Sequence, residues 1–283
     1  MFDRICIGVD GSECARRATA VGIGIAEASG ASVDVVHAMS EDPESGEPVD
    51  GDRVLTELAG PIDGAGVDVE GHALTGEPAE AIVRFADDRD ADLLVLGRRG
   101  LGGVRDRLLG SVVHAVLRSA ERPVLCVPEG EGTFEVSDLL APTDGSAAAE
   151  RAAPIAATLA HEHDATVHTC YVLDLARVAG PFNAGGVTPQ TIEVYEERGR
   201  SYLDRMAEQL HDHHPGLDVR SAVVRNAAHA GLTEYAEDHE IDLIVLSSRG
   251  STSGLGQVLG SVADRVLRTA DVPILVVTGD PTE

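Results

Sequence analysis

The sequence predicts an α/β protein built from two tandem doubly wound sheets, each parallel and five-stranded. Three observations carry this expectation: a length of 283 residues, which exceeds one compact domain of ordinary size; an internal repeat spanning both halves of the chain; and, in each repeat, alternation of short apolar runs with helical patterns. Hydrophobic residues make up 43% and charged residues 25%, enough apolar material for a core and far from the composition of a disordered chain.

The repeat opens on the first strand. Ile5-Cys-Ile-Gly-Val-Asp10-Gly-Ser12 recurs as Leu139-Leu-Ala-Pro-Thr-Asp144-Gly-Ser146, 134 residues later. The helix that follows repeats at the same offset, with Ala18, Val21 and Ile25 mapping onto Ala152, Ile155 and Leu159 as the face turned to a sheet. Ser12 and Ser146 are the expected N-caps. Leu93–Leu96 then matches Leu243–Leu246, Gly110-Ser111 matches Gly260-Ser261, and the last strands 123–127 and 273–277 match at an offset of 150. The second copy has therefore gained 16 net residues, assigned to the Gly- and Pro-rich stretch 174–190 and read as a surface loop or lid. Domain boundaries are expected at 1–130 and 134–283, around the linker Glu129–Thr133. Uninterrupted apolar runs such as 93–96 and 124–127 suit central parallel strands covered on both faces, joined by right-handed crossovers.

Composition excludes several functions. Acidic residues number 48 against 22 basic ones, for a formal net charge of -26, and every basic residue is arginine. Such a field repels nucleic acid and anionic membranes, so neither is an expected partner. The acidic, lysine-free surface is similar to that of proteins from halophilic cells, where counterions screen the repulsion. The absence of lysine also excludes a G-x-x-x-x-G-K-[ST] phosphate loop and Schiff-base chemistry. No apolar run approaches the roughly 20 residues that span a bilayer, and the N-terminus enters a strand pattern at Ile5 without a basic region, which makes the cytoplasm the expected location. Cys6, Cys14, Cys126 and Cys170 show no C-x-x-C pair, and Cys6, Cys126 and Cys170 fall in strand-like runs as buried thiols. The cluster His211 to His214 and the pair His161 and His163 lack zinc-ligand geometry, and no G-x-S-x-G elbow is present. No catalytic residue and no metal ligand is assigned.

Open parallel sheets bind ligands beyond the carboxyl ends of their strands, where strand order reverses. Two glycine-containing loops fall there in the first copy. One is Gly8-Val9-Asp10-Gly11. The other follows Leu96 as Gly97-Arg98-Arg99-Gly100-Leu101-Gly102, leading to Gly110 and Ser111 at a helix start. Glycines admit a close anion, and a helix N-terminus adds unpaired N–H groups and partial positive charge, an arrangement suited to a polyphosphate. Arg98, Arg99 and Arg105, with Arg249 in the second copy, either grip phosphate or are solvated loop residues.

With the spacing G-x-x-G-x9-G-S at Gly97, Gly100, Gly110 and Ser111, both copies resemble universal stress protein domains over nearly the whole chain. The resemblance implies Rossmann-like sheets of the adenine nucleotide alpha hydrolase-like class, and it implies that the first copy carries the family's full ATP-binding pattern. By resemblance, Gly8, Val9, Asp10 and Ala38 border adenine and ribose; Leu96, Gly97, Arg98, Arg99, Gly100, Leu101 and Gly102 wrap ribose and phosphates; and Gly110, Ser111 and Val112 complete the cradle. In the second copy the corresponding residues are Pro142, Thr143, Asp144, Val172, Ser247, Ser248, Arg249, Gly250, Gly260, Ser261 and Val262. The copies depart from the pattern at Gly8, where proline is common, and at Ser247, where the first motif glycine is replaced; if that position needs positive φ or close phosphate approach, serine costs about 1 kcal/mol. The implied ligand is ATP, ADP or AMP; magnesium is expected to bridge the phosphates as for most bound ATP, with Asp10 or Asp144 as its contact through water. The resemblance also implies pairing of domains through strands 124–127 and 274–277, as an internal pseudo-dimer that can pair again as a homodimer. Three functions remain open: an adenine-nucleotide-binding stress or regulatory protein, a nucleotide-independent interaction scaffold, and a slow ATP hydrolase or adenylate-transferring enzyme.

Overall fold

A computed structural model describes residues 2–39, 54, 66–100, 109–130, 134–179, 188–248 and 259–278. The chain divides into two compact units, Met1–Glu135 with Asp271–Gly279 and Val136–Ala270 with Asp280–Glu283. Leu101, Gly102, Arg105, Arg249 and Gly250 lie outside the described residues, as does part of the linker.

In the first unit β1 (Arg4–Val9), β2 (Ser32–Met39), β3 (Val69–Thr75), β4 (Leu93–Gly97), β5 (Val124–Val127) and β10 (Ile274–Val277) lie in the order β3-β2-β1-β4-β5-β10. The first five are parallel, with Ile5 between Val33 and Leu93 and Gly97 beside Val127. β10 runs antiparallel to β5, with Ile274 opposite Cys126. The helices are α1 (Glu13–Ser29), α2 (Pro78–Asp88) and α3 (Ser111–Ser119). Strand order reverses between β1 and β4, so the ends of these two strands define a crevice. Ile5, Ile7, Leu93, Val95, Val124 and Leu125 are fully buried, as the uninterrupted apolar runs predict.

In the second unit β6 (Asp138–Leu140), β7 (Thr166–Leu173), β8 (Val219–Arg225) and β9 (Leu243–Ser247) give the order β9-β6-β7-β8, again parallel and again reversing beside the first strand. Its helices are α4 (Ala147–Glu150), α5 (Ala153–His163), α6 (Leu175–Ala179), α7 (Pro189–His213), α8 (Ala228–Asp238) and α9 (Ser261–Thr269).

Ser12 caps α1 by accepting from the Ala15 amide at 3.1 Å, and Ser146 accepts from the Ala149 amide at 3.2 Å, as the repeat predicts. The helices behind these caps differ. α1 runs 17 residues without a break and buries Ala18, Val21 and Ile25. In the second unit the helix stops at Glu150 and resumes at Ala153 with Pro154 in its first turn; Ala152 and Leu159 are buried as expected, joined by Ala153, Ala156 and Ala157, while Ile155 is only half-buried. The expected face thus holds at two of its three positions, and the helix breaks between them because proline lacks the N–H that an unbroken helix would use there.

The described residues at the two ends of the inserted stretch are helical, where a loop was expected. Asp174 accepts from the Ala176 and Arg177 amides at 3.0 and 3.2 Å and starts the short α6, and Thr188 accepts from the Thr191 amide to cap α7. An aspartate and a threonine at N-cap positions were the available signal. All four cysteines are free and buried, and burial pushes the Cys126 and Cys170 thiols up to about 12, which leaves them inert hydrophobes at neutral pH.

Candidate functional site

In both units the first strand ends in an Asp-Gly-Ser turn that doubles as the start of a helix. Gly11 and Gly145 have φ of 83° and 79°, a conformation that needs glycine. This fold of the backbone brings the carboxylate of Asp10 to the Ser12 amide and that of Asp144 to the Ser146 amide, each at 3.0 Å. The aspartates are therefore fixed at the reversal point of each sheet. In the first unit Asp10 also lies against Gly100, where a Cβ would collide with Oδ2; that contact joins the loop after β1 to the loop after β4.

The second loop is pinned at its base in the same way twice. The Gly110 amide donates to the Arg98 carbonyl at 3.0 Å, and the Gly260 amide donates to the Ser248 carbonyl at 2.7 Å. A Cβ on Gly110 would stand 3.2 Å from the Arg98 carbonyl oxygen. Gly110 and Gly260 then serve as extended N-caps that offer no side-chain acceptor, so neither N-cap residue closes the first-turn amides of α3 and α9 with a side chain. Ser111 and Ser261 are exposed in those first turns, with Val112 and Val262 half-buried beside them.

In the second unit these elements enclose a cavity of about 240 Å³. Pro142, Thr143, Asp144, Val172, Ser247, Gly260, Ser261 and Val262 all line it. Ser248 is buried behind Ser247 and does not. Leu173, Val178, Leu232 and Tyr195 add an apolar wall, while Asp174 and Arg177 add charge. Apolar walls with a few convergent polar groups are typical of a small-molecule site. The sequence reading missed Arg177 and Val178, which come from the inserted segment, and Tyr195 and Leu232, which lie on helices whose inward faces only the fold reveals.

In the first unit the predicted residues sit at the corresponding strand ends, with two differences. Gly8 is buried, and the space a Cβ would fill is taken by Leu96, 2.5 Å away, and Ile82, 3.1 Å away; in the second unit Pro142 occupies this position. Of the described arginines of this loop, Arg99 pairs with Glu129 at 3.1 Å, and Arg98 is buried, its cationic form disfavoured mainly by desolvation and then by Arg99, with Asp271 and Glu129 in its field. Ala38 is half-buried at the end of β2.

Gly97 is not among the glycines with positive φ. Its lack of a Cβ serves packing instead, since a Cβ would stand 2.7 Å from Cys14 Cβ and 2.8 Å from the Cys14 carbonyl carbon at the start of α1.

A second polar cluster lies at the opposite ends of the strands. Asp34, fully buried, accepts from Arg4 at 3.0 Å and from Arg89 at 2.7 Å and is 2.8 Å from His72 Nε2. Asp34, Glu70 and His72 bring ligand atoms within 4.8 Å of one another, yet Arg89 also pairs with Glu70, so two guanidinium groups occupy the place of a cation. In the second unit His168 stands at the Asp34 position, between Asp138 at 2.9 Å and the Tyr235 hydroxyl at 3.0 Å. Burial pushes the His168 pKa down, against the pull of Asp138.

Comparison with known proteins agrees with the repeat. The model of the universal stress protein family matches residues 1–128 and 136–278. A universal stress protein of Mycolicibacterium smegmatis is 30% identical over 217 residues, covering 74% of this chain and 70% of that protein. One from Methanocaldococcus jannaschii is 31% identical over 151 residues, covering 53% of this chain and 86% of that protein. Among solved structures, a universal stress protein from Archaeoglobus fulgidus shares the fold with a TM-score of 0.71 at 21% identity, covering 99% of this chain and 97% of that one. Two matched segments that together span nearly the whole chain make it a tandem member of the universal stress protein family.

Proposed function

We propose that this universal stress protein binds adenine nucleotides at the strand ends of both units and acts through that binding as a regulatory protein. One observation supports the reading above the others: eight of the residues assigned to the second nucleotide site from sequence line a single cavity. That cavity combines an apolar lining fit for a base with the N-terminus of α9, where first-turn amides and the Ser261 hydroxyl can meet phosphate. The pinned loop at Gly110 and the turn at Asp10 support an equivalent first site. Magnesium fits as a phosphate-bound ion, near the carboxylates of Asp10 and Asp144. These carboxylates already hold the turn amides, which favours binding and orientation over rapid turnover.

Calorimetry with ATP, ADP and AMP in magnesium and high salt tests the reading. Two equivalents of ATP with micromolar affinity are expected, falling to one in Gly110→Trp, whose side chain cannot fit above the Arg98 carbonyl. No binding of any adenine nucleotide by the folded protein would favour the scaffold function, and turnover of many per second would make it an enzyme.

A further inference from the structure

We infer that Tyr195 stacks on the base of the nucleotide in the second unit and sets that site's preference for a base-bearing ligand; this rests on the reading of the cavity as an adenine-nucleotide site. Tyr195 lies on α7, half-buried, and lines the cavity together with Val178 and Arg177 of α6. The same cavity has apolar walls from Val172, Leu173, Val178 and Leu232, and Gly260 and Ser261 also line it. An aromatic ring in such a wall offers a flat face to a purine and costs little ordering entropy.

α7 is held firmly enough to keep that ring in place. The Tyr171 ring packs against Gly199, where a Cβ would collide with it, and the Tyr202 ring packs in the same way on Gly145 of the Asp-Gly-Ser turn. Tyr171 and Tyr202 meet edge to face with centroids 5.7 Å apart. Arg205 then donates to the Gly145 carbonyl at 2.7 Å and pairs with Glu150, which also accepts from Gln209 at 3.1 Å. The helix that carries Tyr195 is thus tied to the turn that carries Asp144. Base and phosphate ends of the site are positioned by one packed unit.

The composition supplies a selective probe. The chain has four tyrosines and no tryptophan, and Tyr171, Tyr195, Tyr202 and Tyr235 all lie in the second unit. Tyrosine emission therefore reports on the second site with no contribution from the first. Titrating ATP with magnesium is expected to quench that emission, and Tyr195→Ala is expected to remove most of the quench and weaken the second site about 10-fold or more, in line with aromatic–base stacking, while Tyr195→Phe stays within about 2-fold. Inorganic triphosphate, which has no base, is expected to bind wild type and Tyr195→Ala alike.

If two equivalents of ATP still bind Tyr195→Ala with unchanged affinity, the inference is overturned and the nucleotide sites stand. Equal weakening of ATP and inorganic triphosphate would overturn it too, since the ring would then serve only the fold. A single equivalent, abolished by Gly110→Trp and without any tyrosine quench, would remove the second site itself and the inference with it.

Discussion

Gly97→Val is expected to destabilise the first unit by about 3 kcal/mol, whereas Ser247→Gly at the matching position is expected to change the second by no more than about 1 kcal/mol. The two positions are equivalent in the repeat, and the family pattern would make both glycines ligand contacts. The structure ties Gly97 to α1 instead. A Cβ there stands 2.7 to 2.9 Å from Cys14 and Ala15, and two of the three nearest atoms are backbone, which cannot swing aside like the end of a flexible side chain. Relief would require the first turn of a 17-residue helix to lift from the sheet, and that helix buries Ala18, Val21 and Ile25 as one rigid piece. In the second unit the corresponding turn is the separate α4, which ends at Glu150 before α5 begins at Ala153. A short turn can shift without moving the rest of the packed face, so Ser247 is accommodated and its side chain borders the cavity. Hydrogen exchange followed by unit would show the loss in Gly97→Val confined to peptides of the first. Equal losses for Gly97→Val and for Ser247→Val would mean that α4 is held as tightly as α1.

The serine at 247 was legible as a departure from pattern but not as a harmless one, because the compensating break depends on Pro154 and on where α5 restarts. The alternation of strands and helices, the Asp-Gly-Ser turns and the caps at Ser12 and Ser146 were readable because each rests on local chemistry that sequence displays directly. The strand-end lining of the second unit's cavity was readable for the same reason. Its remaining wall was not: Tyr195 and Leu232 reach the cavity from helices far along the chain, and their periodicity only marks an inward face without naming what lies inside. The polar cluster around Asp34 escaped notice because a charged residue in an apolar strand run gives no sign of its partners. Arg4, His72 and Arg89 come from three separate elements, and only parallel register brings them together.

That cluster and its counterpart make the two units respond differently to acid. Asp34→Ala should cost about 2 to 3 kcal/mol at neutral pH, the low end for breaking a buried pair because Arg4 and Arg89 remain about a third exposed. Burial alone would raise the Asp34 pKa, but hydrogen bonds from Arg89, Arg4 and His72 outweigh it and hold the carboxyl below its usual range. A depressed acid contributes stability that is present above the unfolded value, near 3.9, and is lost only as pH falls through the lower folded value. His168 reverses the order. Burial holds its pKa below the ordinary 6.5, and the raised pKa of Tyr235, about 12, keeps that hydroxyl a donor to Nδ1 while Nε2–H donates to Asp138. The unfolded chain therefore takes up a proton that the folded unit resists, and the second unit loses stability from about pH 6.5 downward. Tyrosine emission, which reads only the second unit, should show its denaturation midpoint falling between pH 6.5 and 5 while exchange in the first unit stays constant until below about pH 4. In His168→Met the fall below pH 6.5 should shrink, leaving the share of His163, whose pKa burial also pushes down. If both units instead lose stability together in His168→Met, across the same pH range as in wild type, the acid response belongs to the general charge of an acidic chain and not to the exchanged residues at 34 and 168.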